Sequence, residues 1–216
     1  MSIKVCIADD HSIVREGIKT VIQKSDSFIQ IVAEAENGRE VLSIAQKESI
    51  DVYILDISMP LLNGIETLVR LRKTSPKSKV IILSMHDDRI SVEKAINSGA
   101  KAYILKETAI DEVVRAINEV HLGNFYFSPG ISNFIVEGYL SSKNSKSEKA
   151  IVELTSKERE IIQLLAEGYT SKDIGQQLNM SFNTVNVHKN HIMQKLDYHK
   201  LADLIRFAIK EGIAKL

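Results

Sequence analysis

The chain has 216 residues, of which 44% are hydrophobic and 26% are charged, and its 28 basic side chains balance 28 acidic ones. At about 100–200 residues per domain, this length fits one large domain or two small ones. The single cysteine, Cys6, excludes an internal disulfide and a cysteine-rich zinc site. No stretch offers the roughly 20 apolar residues of a membrane span, and no apolar segment precedes the first acids, so we expect a cytoplasmic protein with no membrane partner.

The balanced total charge conceals a difference between the two parts of the chain. Residues 1–142 contain 16 basic and 19 acidic side chains, whereas residues 143–216 contain 12 basic and 9 acidic ones. Opposite net charges indicate that the two parts have different partners.

Residues 1–122 alternate between two periods of hydrophobicity. Five short apolar runs, rich in β-branched residues, are typical of buried parallel strands. These runs begin at Ile3, Ile29, Val52, Val80 and Ala102. The stretches between them repeat their apolar residues with a helical period, as Ile18 and Ile22 do. This alternation predicts an α/β fold, a five-stranded doubly wound parallel sheet with five helices.

The middle of the chain has the composition of a linker. Gly123 ends the fifth predicted helix, and residues 141–149 read SSKNSKSEK, which is polar and small. Between them, residues 131–140 are apolar enough for one short helix. We therefore assign residues 123–150 to a linker with a short helix.

Residues 151–216 contain no strand-like run and four helical segments in quick succession. Two capping-box patterns, Thr155 with Glu158 and Thr170 with Asp173, mark the first two helix starts. The pattern predicts a small all-α bundle.

The last helix of this predicted bundle has a continuous apolar stripe. Leu204 and Ile205 are expected to face the preceding helices. The side from Leu201 to Ala208 would then be left for a two-fold contact between two copies.

Acidic residues mark the predicted ligand-binding edge of the sheet. Asp9 and Asp10 end the first strand, and Asp56 ends the third, which is its neighbour in a doubly wound sheet. Three converging carboxylates repel one another unless a cation neutralises them. Mg²⁺ fits this set, with the backbone carbonyl near Ser58 as a further ligand.

Two more side chains belong to the same edge. Ser84 follows the fourth strand and Lys106 the fifth, which places a hydroxyl and a fixed positive charge opposite the carboxylates. Such an array suits a phosphoryl group, and the central acid, Asp56, would be its nucleophile. Each residue alone is more often a cap, a turn residue or a solvated charge. All five at one edge are much harder to explain in that way.

These motifs resemble those of bacterial response regulators of the NarL/FixJ family over essentially the whole chain. The receiver signature is carried by Asp9 and Asp10, by DISMPLLNG from Asp56, by LSMHD from Leu83 and by AYILK ending at Lys106. The resemblance implies that a sensor histidine kinase phosphorylates Asp56 and that Asp9, Asp10 and Asp56 hold Mg²⁺. It further implies that Ser84 and Tyr103 form a switch pair and that Lys106 contacts the phosphoryl group.

The chain from Leu154 to Leu196 resembles the LuxR-type helix-turn-helix. Apolar residues such as Ile174 and Val185 would hold its two helices together, with His188 on the inner side. A face with amides and a lysine suits the major groove of double-stranded DNA. The residues expected on that face are Asn183, Thr184, Asn186, Val187, Lys189, Asn190 and Gln194.

The sequence thus predicts a two-component response regulator, a DNA-binding transcription regulator that is not an enzyme and that forms a homodimer on activation. One alternative is a phosphatase of the haloacid-dehalogenase type, but that class needs a second acid where this chain has Ser58. Another is a DNA-binding protein with a degenerate receiver, which the presence of all five site residues disfavours.

Overall fold

The computed structural model describes residues 2–132 and 154–215. The chain divides into two compact units, an α/β unit and a C-terminal helical unit. In the described ranges, no helix combines the length and the apolar composition that crossing a bilayer requires.

The α/β unit is a parallel sheet with the strand order β2-β1-β3-β4-β5-β6. The strands are β1 Ile3–Ala8, β2 Ile29–Ala35, β3 Val52–Asp56, β4 Lys79–Ser84, β5 Ala102–Leu105 and β6 Tyr126–Phe127. The helices are α1 Ser12–Ser25, α2 Gly38–Lys47, α3 Gly64–Thr74, α4 Arg89–Ser98 and α5 Ala109–His121. This confirms the doubly wound α/β class.

Helices cover both faces of the sheet, and the central strand shows why its sequence is apolar throughout. All five residues of β3 are buried. Val52 and Ile54 pack with residues of α1 and α5, whereas Tyr53 and Leu55 pack with residues of α2, α3 and α4. Because successive strand side chains point to opposite faces, a strand between two helical layers needs apolar residues at every position.

The sheet has a sixth strand that the sequence analysis did not predict. Tyr126 and Phe127 pair in parallel with Ala102 and Tyr103 of β5. Two residues are too few to show a period of two, which explains the omission. This strand lies after residue 122, in the stretch assigned to the linker, and Ile131 is buried in the same core as β5.

Residues 129–132 are helical. The predicted helix at 131–140 and the polar segment at 141–149 otherwise lie outside the described residues.

The helical unit contains the four predicted helices. They are α6 Ser156–Ala166, α7 Ser171–Leu178, α8 Phe182–Lys195 and α9 Leu201–Lys210. Both capping boxes are present. The side chains of Thr155 and Thr170 each accept a hydrogen bond from the backbone N–H of the partner acid, and the carboxylate of that acid accepts one from the backbone N–H of the threonine. The core of this unit is made by residues such as Ile161, Ile174 and Ile192, all fully buried.

The structure corrects the expected position of Ala208 on α9. Ala208 is fully buried beside Leu204, so it belongs to the bundle core and not to a free side. Leu201, in the first turn, is 43% exposed. Leu201, Leu204 and Ala208 fall at i, i+3 and i+7 and therefore share one helix face, and Leu201 differs from the other two in being the first residue of the helix.

Glu158 links the start of α6 to the end of α8. Its Oε2 accepts a hydrogen bond from the Thr155 backbone at 2.7 Å and from Lys195 Nζ at 3.1 Å. Burial by itself raises the pKa of Glu158, but these hydrogen bonds outweigh it and hold the pKa below its usual value. A lowered pKa means that the ionised carboxylate stabilises the fold at neutral pH and that this contribution is lost as the pH falls through the folded-state pKa.

We therefore expect Glu158→Gln to lower the free energy of opening of the α6 amides by about 1–2 kcal/mol at pH 7. Amide hydrogen exchange would measure this difference. Below pH 4.5, the usual value for this group, the gap between the variant and the unmodified chain should narrow. If the difference in opening free energy between the two chains does not change with pH, the charge of Glu158 does not contribute to the stability of α6.

Candidate functional sites: an acidic pocket and an exposed helix face

The pairing of β1 with β3 brings the predicted carboxylates together. Ala8 pairs with Leu55, so Asp9 and Asp56 leave adjacent strands at the same end. Asp9 is 0% exposed and Asp56 is 2% exposed. One ligand atom from each of Asp9, Asp10, His11 and Asp56 lies within 4.8 Å of the others.

Lys106 enters this pocket from the neighbouring pair of strands. Its backbone N–H donates to the Ser84 carbonyl at 2.8 Å, which continues the β4–β5 pairing one residue past β5. Its Nζ lies 2.7 Å from Asp9 Oδ2 and 3.2 Å from Asp56 Oδ1. Lys106 is therefore the positive charge that the two buried carboxylates share.

One lysine does not compensate for two buried carboxylates. Burial raises the pKa of Asp56, Lys106 opposes this, and Asp9 adds to it, so that the pKa of Asp56 lies above its usual value. Within the described residues, Asp56 Oδ2 is buried and has no hydrogen-bond partner. A buried carboxylate oxygen without a partner, beside two further carboxylates, fits a hard divalent cation.

A glycine keeps the loop after β3 close to Asp56. Gly64 begins α3, and its N–H donates to the Ile57 carbonyl at 2.9 Å. A β-carbon at this position would overlap the backbone carbonyl oxygen of Asp56. The glycine of the DISMPLLNG motif therefore has a steric role, since it allows α3 to start against the backbone of Asp56.

The predicted switch residues meet at one loop residue. Ser84 Oγ accepts a hydrogen bond from the His86 N–H at 2.9 Å, and the Tyr103 hydroxyl donates to the His86 carbonyl at 2.7 Å. The Tyr103 side chain is fully buried, and burial raises its pKa. Ser84 and Tyr103 thus hold the loop between β4 and α4 from two sides.

His11 also belongs to the pocket, although it is not among the site residues predicted from the sequence. Its Nδ1 lies 3.0 Å from Asp9 Oδ1 and 2.8 Å from Asp10 Oδ1. His11 is the N-cap of α1, but its side chain makes no capping hydrogen bond. Its place directly after two aspartates was the signal for a ligand in the sequence.

The second site is the outer face of α8. Its inner face is formed by Val185 and Ile192, which are fully buried, and Val187 on the opposite side is 67% exposed. Five side chains of the predicted DNA-binding face are exposed: Asn183, Thr184, Val187, Asn190 and Gln194. The other two, Asn186 and Lys189, are half-buried, as is His188.

Asn186 has a structural contact that the sequence did not reveal. Its Oδ1 lies 2.9 Å from Ser171 Oγ, at the start of α7, which donates a hydrogen bond to it. This contact fixes the orientation of the side-chain amide. The Nδ2 group is then the one that points away from Ser171 and can donate to a ligand.

The turn between α7 and α8 is tight because Gly175 has no side chain. A β-carbon there would lie 2.7 Å from the Met180 carbonyl oxygen. Ser181 then caps α8, accepting from the Thr184 N–H at 3.1 Å. Two short helices joined in this way have the geometry of a helix-turn-helix.

Comparison with known proteins finds a match for each of the two parts of the chain. Residues 5–118 match the response regulator receiver domain, and residues 152–208 match the bacterial regulatory proteins of the luxR family. Transcriptional regulatory protein DegU of Brevibacillus brevis is 31% identical over 227 residues, which cover 99% of this chain and 96% of DegU. Oxygen regulatory protein NreC of Staphylococcus carnosus is 32% identical over 215 residues, which cover 97% of this chain and 98% of NreC.

A solved structure shares the fold of the whole chain. RcsB of Salmonella typhimurium superposes with a TM-score of 0.65 at 24% identity, covering 97% of this chain and 98% of RcsB. The matched domains and the full-length relatives agree on one assignment: this chain belongs to the NarL/FixJ family of response regulators and is a DNA-binding transcription regulator.

Proposed function

We propose that a sensor histidine kinase phosphorylates Asp56 and that this modification controls DNA binding by the α8 face. The observation that carries the proposal is the environment of the Asp56 carboxylate. It is buried beside Asp9, one oxygen lies 3.2 Å from Lys106 Nζ, and the other has no partner within the described residues. A side chain in this state has an oxygen available to a cation or to an incoming phosphorus atom.

The proposed reaction is a phosphoryl transfer. A carboxylate oxygen of Asp56 attacks the phosphorus, the bond to the imidazole nitrogen of the kinase breaks, and the imidazole leaves. Lys106 stabilises the charge on the phosphoryl oxygens, since its Nζ already lies within 3.2 Å of both buried carboxylates. Mg²⁺, held by Asp9, Asp10, Asp56 and the backbone carbonyl of Ser58, would supply further positive charge there.

The switch would act through His86. Ser84 Oγ now accepts from the His86 N–H, and Tyr103 donates to the His86 carbonyl. A phosphoryl oxygen on Asp56 would attract the Ser84 hydroxyl, and the population of loop conformations would shift accordingly. We propose that Ser84, Tyr103 and Lys106 convert phosphorylation into a change at the β4–α4 loop.

The regulator would bind double-stranded DNA as a homodimer after activation. The exposed amides of α8 suit base edges in the major groove, and Lys189 suits phosphate. Two copies would read two half-sites and roughly double the contacts of a chain with few basic residues on this face. RcsB, which shares the fold, has been solved as two dimers bound to two parallel DNAs.

The first prediction from this proposed function concerns the phosphorylation site. Incubation with acetyl phosphate and Mg²⁺ should add one phosphoryl group, detected by intact-mass spectrometry, and Asp56→Asn should abolish the addition because the nucleophile is lost. Asp111→Asn, on the exposed start of α5, is the matched control and should leave labelling intact. Labelling that persists in Asp56→Asn would contradict the assignment.

The second prediction concerns the metal. Asp10→Asn removes one charge and replaces a carboxylate ligand by a weaker amide oxygen, so half-maximal labelling should require at least about tenfold more Mg²⁺. A Mg²⁺ titration of the labelling rate measures this. An unchanged Mg²⁺ requirement would show that Asp10 has only a structural role at the start of α1.

The third prediction separates two kinds of DNA contact. Lys189→Ala should weaken binding to every sequence and reduce the salt dependence by about one unit of slope, because one phosphate contact is lost. Lys210→Ala, on the exposed end of α9, is the control. Fluorescence anisotropy at several salt concentrations would show the difference.

Asn186→Ala should instead relax the base preference at one position, by about 1–3 kcal/mol. Ser171→Ala should relax the same position, since Ser171 orients the Asn186 amide. Selection from a random DNA pool would reveal both effects. An unchanged consensus for both variants would contradict direct readout by Asn186.

A further inference from the structure

Arg15 of α1 contacts the backbone of the loop that carries two of the acidic side chains of the pocket. We propose that Arg15 is a positioning residue for the metal site: it fixes the peptide bond between Asp9 and Asp10 and thereby sets the direction of the Asp10 carboxylate. The inference rests on the proposed function, since it concerns the Mg²⁺ site that phosphorylation of Asp56 would use. It adds to that function a residue outside the predicted site.

The guanidinium group of Arg15 contacts three acceptors. Its Nη1 donates to the backbone carbonyl of Asp9 at 2.7 Å. Its Nη2 lies 2.9 Å from Glu36 Oε1, and its Nε lies 3.4 Å from Glu34 Oε2. The side chain is only 12% exposed. Because the donors of a guanidinium form a rigid planar fork, Arg15 ties the residue after β1 to two acids at the end of β2.

The contact with Asp9 fixes a peptide bond and not a side chain. The N–H of Asp9 donates to the Ala35 carbonyl at 3.2 Å, which extends the β1–β2 pairing by one residue, and Asp10 then lies in a bend before α1. The Asp9 carbonyl belongs to the planar unit that joins Asp9 to Asp10. A donor held against this oxygen limits rotation of that unit, so the direction in which the Asp10 side chain leaves the backbone depends on Arg15.

Asp10 is the pocket carboxylate that most needs such support. Its side chain is 31% exposed, whereas those of Asp9 and Asp56 are 0% and 3% exposed. Packing therefore restrains Asp10 less than the other two acids. Groups behind the ligands of a metal site orient them, and their loss typically lowers metal affinity about 10- to 100-fold. Arg15 would act in this way through the backbone.

The charge of Arg15 and its geometry have opposite effects on a cation in the pocket. A positive charge near a cation site weakens binding, so loss of the charge alone would strengthen Mg²⁺ binding. Glu34 and Glu36 offset this charge, and both lie outside the pocket. The positioning effect should therefore dominate, and the direction of the change in Mg²⁺ affinity distinguishes the two effects.

Lys19 provides a matched control on the same helix. It follows Arg15 by one turn, and its Nζ lies 2.7 Å from Glu34 Oε1 and 2.7 Å from Glu16 Oε1. Loss of Lys19 thus removes an ion pair of Glu34 and leaves the contact between Arg15 and the Asp9 carbonyl in place.

Titration of the metal-free full chain with MgCl₂, followed by the backbone amide shifts in NMR spectra, tests the inference. Arg15→Ala should raise the Mg²⁺ dissociation constant about tenfold, whereas Lys19→Ala should leave it within about twofold. Arg15→Lys keeps the charge but not the fork, so it should recover only part of the loss. Glu36→Gln weakens an exposed acceptor of Arg15 and should raise the constant less than Arg15→Ala does.

A double-variant cycle separates the positioning of Asp10 from a general weakening of the fold. In chains that carry Asp10→Asn, Arg15→Ala should raise the dissociation constant far less than tenfold, because the carboxylate that it positions is gone. Additive effects would overturn the proposal, and so would an unchanged or lower dissociation constant in Arg15→Ala. Circular dichroism checks that each variant folds. If Arg15→Ala does not fold, Arg15→Lys and Glu36→Gln decide the question in the same cycle.

Labelling of the unmodified chain by acetyl phosphate is a separate measurement. Mg²⁺ binding without labelling would contradict phosphorylation of Asp56 and leave the role of Arg15 standing. Normal labelling with an unchanged Mg²⁺ dissociation constant in Arg15→Ala would contradict the role of Arg15 alone. An unmodified chain that does not bind Mg²⁺ would overturn both the metal site and this inference.

Discussion

Two carboxylates are buried side by side in this protein under a single ammonium group. Asp9 and Asp56 leave neighbouring strands at the same sheet edge, and Lys106 reaches both with one Nζ. Burying unequal numbers of opposite charges is costly, and the raised pKa of Asp56 reflects it. This excess of negative charge would be reduced by a cation and increased by a phosphoryl group on Asp56.

Hydrogen bonds connect the acidic pocket to the loop between β4 and α4. Ser84 ends the strand next to Asp56, and Tyr103 lies on the following strand. Both bind His86, so a change at the carboxylate has a short path of hydrogen bonds to the β4–α4 loop. The pairing of Lys106 with the Ser84 carbonyl ties the lysine to the same path. The pairing of β4 with β5 therefore positions both the lysine that neutralises the carboxylates and the residues that hold the β4–α4 loop.

The helical unit relies on close backbone approach. Gly175 allows α7 and α8 to meet without a side chain between them, and that approach also places Ser171 against Asn186. An amide whose oxygen already has a partner presents a defined donor, which is a more specific element than a freely rotating side chain. The contact between α7 and α8 therefore also determines which atoms of the Asn186 amide can bind a ligand.

The sequence by itself determined the elements whose signals are local. Alternating periods predicted the α/β sheet, the reciprocal pairs Thr155–Glu158 and Thr170–Asp173 predicted two helix starts, and motif position predicted Asp9, Asp56 and Lys106 at one edge. Each of these signals depends on residues close in the chain or on one topological rule, and so it can be recognised without coordinates.

Only the tertiary structure decided the features that depend on how distant segments approach each other. The strand Tyr126–Phe127 exists because β5 offers it an edge, not because its two residues have a period. Ala208 is buried because its turn of α9 faces the other helices of the bundle, although its sequence pattern allowed a free side. His11 joins the acidic pocket because its ring lies against Asp9 and Asp10. Side-chain direction within a turn is set by packing and by hydrogen bonds to distant atoms, and a linear pattern does not contain that information.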